Sequence, residues 1–313
     1  MERNAARLAR RLRAVLVLVT AAVFCLVPGP VVAQPDSAPR ALTGVLKRVK
    51  DTRVVRIGVR EAALPFASIN SSGQASGYSI DLCLAIVDDM AKAIGVDALR
   101  VEYRRVTPAN RIAQVVDGRI DLECGATTNT AERRERVAFS PPTFIAGTQL
   151  LVKRGSPIRS VRDLSGHKVV VVRNTTNEAA MQRWASEARR DLRIEVAEDY
   201  DAALARLARG EVAALAADDV LLVGYLAERN LRRQYAVVGE LLSYEPYGIM
   251  YARNDEAMRA LVFATFKRLA TSGEIRSIYN KWFIRTLPSG AQLGWPMNTH
   301  LALTFELLGM PPE

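Results

Sequence analysis

Residues 108–133, PANRIAQVVDGRIDLECGATTNTAER, hold a helix, a strand and the start of a second helix in immediate succession. Pro108 brings a pre-set φ to a helix start, Ile112, Val115 and Val116 follow at helical spacing, and Gly118 stands just past the end. That asymmetry predicts a helix over 108–116. A short strand is expected over 120–123. Thr130 is an N-cap candidate, which puts Arg133 in the first turn of the next helix. A strand that ends in a small, polar loop before a helix is the local grammar of an α/β protein, and ligands of such proteins gather at the carboxyl ends of strands.

The same alternation extends in both directions. Upstream, residues 53–59 read as a strand, 79–95 as an amphipathic helix with Leu82, Cys83, Ile86, Val87, Met90 and Ile94 on one stripe, and 99–103 as a strand. Downstream, strands are predicted over 149–153, 168–172, 192–196, 212–216, 236–238 and 247–252. Helices are predicted over 176–187, 200–209, 218–230, 255–271 and 273–283. The chain should leave the first block near Gly147 and return near Gly248. The expectation is an α/β protein of two lobes, each a mostly parallel sheet flanked by helices, with two crossover strands as the hinge. Residues 43–146 and 247–313 would form lobe one and 147–246 lobe two, with a ligand cleft between them. Residues 288–313 are expected to pack on lobe one.

Residues 1–33 read as a cleavable secretory signal. Arg3, Arg7, Arg10, Arg11 and Arg13 face a single acid, Glu2; an uncharged apolar run covers 14–27; Pro28, Gly29 and Pro30 break it; and Val31-Val32-Ala33 is a small-residue exit. The apolar run is shorter than the roughly 20 residues a bilayer span needs. Residues 34–42, QPDSAPRAL, are expected to be a flexible leader. The net charge of +10 belongs partly to the signal, and the remaining basic residues are dispersed without interleaved aromatics. Nucleic acid is therefore excluded as a partner. Cys25 follows bulky Phe24, a poor setting for lipid attachment, and leaves with the signal. Cys83 on a buried helix face and Cys124 at a strand end are expected to be two buried, unpaired thiols. His167 and His300 are the only histidines. They make no zinc-ligand spacing, and no Ser or Cys motif carries a base partner, so neither cofactor nor metal is expected.

An ordered set of motifs runs through the chain. Gly58-Val59-Arg60-Glu61 with Pro65-Phe66 is followed by Gly77-Tyr78-Ser79-Ile80-Asp81-Leu82, Asn110-Arg111-Ile112, Asp117-Gly118-Arg119-Ile120-Asp121 and Cys124-Gly125-Ala126-Thr127-Thr128-Asn129-Thr130 with Glu132-Arg133. Then come Phe139-Ser140, Asp163-Leu164-Ser165-Gly166, Asp218-Asp219, Thr271-Ser272-Gly273-Glu274 and Lys281-Trp282-Phe283. Over residues 42–287 this set resembles the periplasmic amino-acid-binding proteins of ABC transporters, within them the glutamate/aspartate-binding branch. The resemblance implies a type II periplasmic-binding-protein fold, an acidic amino acid as ligand, an ABC transporter permease as partner, a periplasmic location and no catalysis. A monomer is expected.

It also implies roles. Arg133 would fork the ligand's α-carboxylate, a task suited to a guanidinium, whereas without the motif it reads as one surface arginine among several. Ala126, Thr127 and Thr128 would line the same carboxylate, although Ala126 stands where the branch has Ser. Asp218 would pair with the ammonium or, more plainly, cap the next helix; Thr176 would add a hydroxyl at a helix start or serve as a cap. Arg60 and Arg111 match arginines that grip a second carboxylate, against the reading of two ordinary surface arginines. Such a pair repels itself until an anion arrives, which points to an acidic ligand. Pro108 replaces Ser and Tyr200 replaces His in that pocket. Cys124 has a counterpart in the branch, but the branch's downstream partner position is Ile249 here. Three rivals use the same fold: a cyclohexadienyl-type dehydratase with Glu61, Glu123 or Glu245 as general acid or base, a binding protein for a different polar amino acid, and a sensory receptor.

Overall fold

A computed structural model describes residues 42–70, 72–187, 191–287 and 290–311. The signal segment and the leader up to residue 41 lie outside the described residues. The first pass of the chain comprises α1 (Gly44–Thr52), β1 (Val54–Val59), β2 (Ala62–Ala63), β3 (Ala67–Ile69), β4 (Ala75–Ser76), α2 (Tyr78–Ile94), β5 (Arg100–Arg105), α3 (Arg111–Val116), β6 (Leu122–Glu123), α4 (Ala131–Arg134) and β7 (Val137–Phe139). It then crosses through β8 (Phe144–Ala146) into β9 (Thr148–Lys153), β10 (Lys168–Val172), α5 (Thr176–Glu187), β11 (Arg193–Ala197), α6 (Tyr200–Arg209), β12 (Ala214–Asp218), α7 (Asp219–Glu228) and β13 (Tyr235–Val238). It returns through β14 (Glu245–Tyr247) and finishes with β15 (Met250–Ala252), α8 (Glu256–Thr271), α9 (Glu274–Phe283) and α10 (Thr299–Leu307).

Two five-stranded sheets share one plan, ordered β5-β1-β6-β15-β7 and β11-β10-β12-β9-β13. Each has a parallel core of three strands, β5-β1-β6 or β11-β10-β12, with an antiparallel fourth strand beside it. In both sheets that reversed strand follows a crossover directly, β9 after β8 and β15 after β14. The crossovers themselves pair antiparallel, from Glu245↔Ala146 to Tyr247↔Phe144. The molecule is thus a two-lobed α/β protein in which the carboxyl ends of β1, β6, β10 and β12 look into one cleft.

Aromatic packing anchors the hinge. Phe66, Tyr78, Phe144, Tyr247, Tyr279 and Phe283 are fully buried, with ring centroids 4.4–6.2 Å apart, many edge to face. Each pair adds to the area term, and Tyr78 Oη donates to Thr143 O at 2.9 Å, just ahead of β8. Across the lobes, Gly224 on α7 abuts the loop after β2; a methyl group there would collide with the Leu64 carbonyl.

One expectation is overturned. Cys83 and Cys124 are not free thiols but a disulfide, with Cα atoms 6.3 Å apart, inside the range a bridge spans. The buried stripe of α2 lies over the end of β6, which brings the two thiols together. Other differences are local. The helix expected over 108–116 begins only at Arg111, because Thr107 N–H donates to Asn110 Oδ1 at 2.9 Å and Asn110 N–H to Thr107 Oγ1 at 3.3 Å, tying the preceding residues into a turn. The strand expected over 247–252 is two strands, one in the hinge and one in the first sheet, parted at Gly248. The C-terminal segment forms α10, buried through Leu301 and Phe305, and its capping Asn298 also donates to Ile145 O on β8 at 3.2 Å.

Candidate functional site

The floor of the cleft belongs to the first sheet. Arg60 follows β1 and is 6% exposed; Arg111 opens α3 and is 3% exposed. Arginines are seldom buried unless paired, so neither is an ordinary surface residue. Arg111 Nη1 donates to Ala126 O at 3.1 Å and to Thr127 Oγ1 at 2.6 Å. Thr127 in turn donates to Glu123 Oε2 at 2.7 Å. Burial pulls the Arg111 pKa down to about 9, Glu123 opposes that fall, and the charges of Arg133 and Arg60 add to it. The guanidinium stays protonated at neutral pH.

The loop 126–130 is tied to the hinge. Thr128 bridges Tyr247, Asn129 N–H donates to Pro246 O at 2.7 Å, and Gly248 N–H donates to Thr127 O at 3.0 Å. Thr128 Oγ1 gives its proton to buried Glu245 Oε2 at 2.7 Å, so at 3.3 Å it can only accept from Thr176 Oγ1 of the opposite lobe. Thr130 Oγ1 accepts from Arg133 N–H at 3.2 Å, the expected cap. Arg133 is half-buried and donates through Nη1 to Thr128 O at 2.8 Å. Burial lowers its pKa, while Glu245, Glu123 and Asp218 act in the opposite direction.

The second lobe supplies the facing wall. Asp218 ends β12, 5% exposed, and its side chain does not cap α7; Asp219 Oδ1 takes the Val220 and Gly147 N–H groups instead. Asp218 accepts from Asn177 Nδ2 at 2.7 Å and from Tyr247 Oη at 2.5 Å. Burial, then the nearby Glu245 charge, raises its pKa to about 6 against those two hydrogen bonds. Tyr200 starts α6, and the Arg60 guanidinium carbon lies 5.5 Å from its ring centroid, a cation–π contact across the cleft.

Two hollows flank this cluster. One of about 340 Å³ is lined by Arg60, Thr107, Pro108, Val172 and Tyr200; the other, about 860 Å³, by Thr128, Arg133, Thr176, Tyr244 and Glu245. Pro108 and Ala109 line both. Arg111, Glu123, Thr127 and Asp218 are buried and line neither hollow. A hollow of about 1020 Å³ runs along α8 and α10 and contains none of these residues. The cleft therefore gathers Arg60, Arg111, Ala126, Thr127, Thr128, Arg133, Thr176, Tyr200 and Asp218. It also holds four residues the sequence did not assign to ligand contact: Glu123 and Glu245, considered only as general acid or base of the dehydratase alternative, and Asn177 and Tyr247. A Glu closing the strand expected over 120–123 among arginines was the available signal for Glu123; Asn177 directly follows Thr176 at the start of the helix expected over 176–187. Glu61 is exposed and pairs with Arg105 Nε at 2.6 Å. Among the described residues, no group of three or more His, Cys, Asp or Glu is arranged to hold a metal, and no helix is long and apolar enough to cross a membrane.

Residues 55–285 match the family described as bacterial extracellular solute-binding proteins, family 3. The L-glutamate/L-aspartate-binding protein of Pseudomonas aeruginosa is 36% identical over 286 residues, covering 91% of this chain and 93% of its own. The glutamate/aspartate import solute-binding protein of Escherichia coli is 33% identical, covering 85% and 88%. Among solved structures, an ancestral amino-acid-binding protein described as a precursor of cyclohexadienyl dehydratase is 25% identical with a TM-score of 0.65, covering 77% of this chain and 99% of its own.

Proposed function

The chain belongs to the bacterial extracellular solute-binding proteins, family 3, and on that premise we propose that it captures an acidic amino acid, glutamate or aspartate, in the periplasm and hands it to an ABC transporter permease. Export through the 1–33 signal and action as a monomer are part of this proposal. Lobe one would comprise 43–146 and 247–313, and lobe two 147–246, boundaries that follow the membership of the two sheets.

The ligand's α-carboxylate docks on Arg133, with Thr128 and Thr176 beside it. Its ammonium meets Asp218, and its side-chain carboxylate reaches Arg60 and Arg111, with Tyr200 closing over Arg60. The observation that carries this is the burial of Arg60 and Arg111 on one cleft floor, opposite a carboxylate of the other lobe that takes no backbone cap. Cations held in a shielded cleft favour an anionic side chain. Contacts from both lobes exist together only when the cleft is shut, so ligand shifts the hinge toward closure. A permease can read that closed form.

Binding rather than turnover is supported by the names of the two relatives, both binding proteins, and by the engagement of Glu123 and Glu245 with threonine hydroxyls. Titrating glutamate, aspartate and glutamine into wild type and Arg111→Ala tests the proposal. Acidic ligands should lose far more affinity than glutamine, and equal losses would remove the selectivity argument.

A further inference from the structure

Glu123 is fully buried at the end of β6, and both floor arginines run beside it. Toward Arg111 the link is the relay through Thr127, with steps of 2.6 and 2.7 Å. Toward Arg60 the link is proximity at Gly125. A methyl group on Gly125 would collide with Glu123 Oε1 and lie 3.5 Å from Arg60 Cδ, so only glycine lets the two side chains pass there. Glu123 Oε1 and Arg111 Nε are both buried without a hydrogen-bond partner among the described residues. The carboxylate's hydrogen bonding is committed only to the Thr127 hydroxyl, and its charge lies beside Arg60 and acts on Arg111 and Arg133.

We propose that Glu123 sets the charge a ligand's side chain must carry: it cancels one of Arg60 and Arg111, leaving the floor with one net positive charge, the match for a single side-chain carboxylate. The inference rests on the acidic-ligand proposal above and deepens it. Glu123 is a specificity-setting residue that acts through its charge on the arginines, while the Thr127 relay only holds Arg111 in place. A charge inside a shielded cleft acts over several ångströms with little screening, so contact with the ligand is not required. The self-repulsion of the arginine pair is relieved in advance, and a side chain bearing two negative charges gains less from the floor than it otherwise would.

Two measurements test this. The first needs no ligand: thermal unfolding of refolded wild type, Glu123→Gln, Arg111→Met and the double variant. Glutamine keeps an acceptor for Thr127 and removes the charge. The double variant should melt well above the temperature given by adding the two single losses, because each single change strands a buried charge. Additive losses overturn the inference. If Glu123→Gln fails to fold, rescue by adding Arg111→Met gives the same support, and failure of the double variant overturns it.

The second is calorimetry with glutamate and O-phosphoserine, whose phosphate carries close to two charges at neutral pH. In Glu123→Gln the affinity for phosphoserine relative to glutamate should rise about tenfold or more. Thr127→Ala, which cuts the relay and keeps the charge, should weaken both ligands without moving their ratio. Parallel losses in Glu123→Gln would mark a merely structural role and overturn the inference. Should wild type bind neither ligand, the acidic-ligand proposal fails and the unfolding cycle still decides the role of Glu123.

Discussion

Tyr247 Oη donates to Asp218 Oδ2 across 2.5 Å, so the strand that returns to the first lobe holds the carboxylate that ends the central strand of the second. Both residues are buried, and Asn177 shares the grip through Asp218 Oδ1. The hinge and the candidate ammonium site are therefore one structure. Tyr247→Phe keeps the ring in the aromatic cluster and removes only the donor. It should weaken ligand binding about tenfold to a hundredfold, the scale of one hydrogen bond to a charged group, and, because the buried bond is present without ligand, lower the melting temperature of the ligand-free protein by several degrees as well. Calorimetry beside a thermal melt checks both halves.

Asp218 should make binding pH-dependent. Its pKa is raised to about 6 from 3.8, chiefly by burial, and an ammonium pairs with the ionised form. Affinity should fall as pH drops through about 6, roughly tenfold for each further pH unit. The ligand-free protein should follow the opposite sign. A carboxyl that holds its proton more tightly when folded contributes stability that is full below about 4 and lost as pH rises through about 6. Asp218→Asn should flatten both profiles, measured by calorimetry and thermal melts between about pH 4 and pH 8.

In the proposed binding mode, the arginines separate recognition of the amino acid from recognition of its side chain. Arg133→Ala should abolish binding of every amino acid tested, a loss beyond about a hundredfold, since a bidentate charge-assisted contact is removed. Arg60→Ala should cost acidic ligands at least tenfold more than glutamine. Comparable losses for both ligand classes in Arg60→Ala would place that residue outside the side-chain pocket.

The Cys83–Cys124 bond spans 41 residues and fastens α2 to the residue that follows Glu123. Loop-closure entropy gives such a link about 4 kcal/mol. Reduction, or the Cys83→Ala/Cys124→Ala pair, should lower the melting temperature by on the order of 10 °C. Because the bond adjoins the loop bearing Ala126 to Thr128, ligand affinity should fall as well. Melts and titrations with and without reductant check both effects.

Local signals explain what the sequence made legible. The helix expected over 200–209 matches the observed Tyr200–Arg209, with Asp199 accepting at its N-cap and Gly210 left-handed at its C-cap. Thr130 caps as expected and sets Arg133 in its turn. The misses depend on distant partners. Nothing near Cys83 indicates that the end of β6 lies over it. Glu245 meets Thr128 from 117 residues away. Asp218 and Asp219 are indistinguishable as caps until the Gly147 N–H arrives from the first crossover to occupy Asp219. The strands β2 to β4 are two or three residues long, too short for a period-two pattern to register.

The most direct test is calorimetric titration of the protein, unfolded and refolded to strip any carried ligand, with glutamate, aspartate, glutamine and prephenate. Tight one-to-one binding of glutamate or aspartate, much weaker binding of glutamine and no consumption of prephenate are the predicted result. Preference for a neutral or basic amino acid would contradict the assignment of Arg60 and Arg111 to a ligand carboxylate, and turnover of prephenate would contradict capture as the function of the cleft.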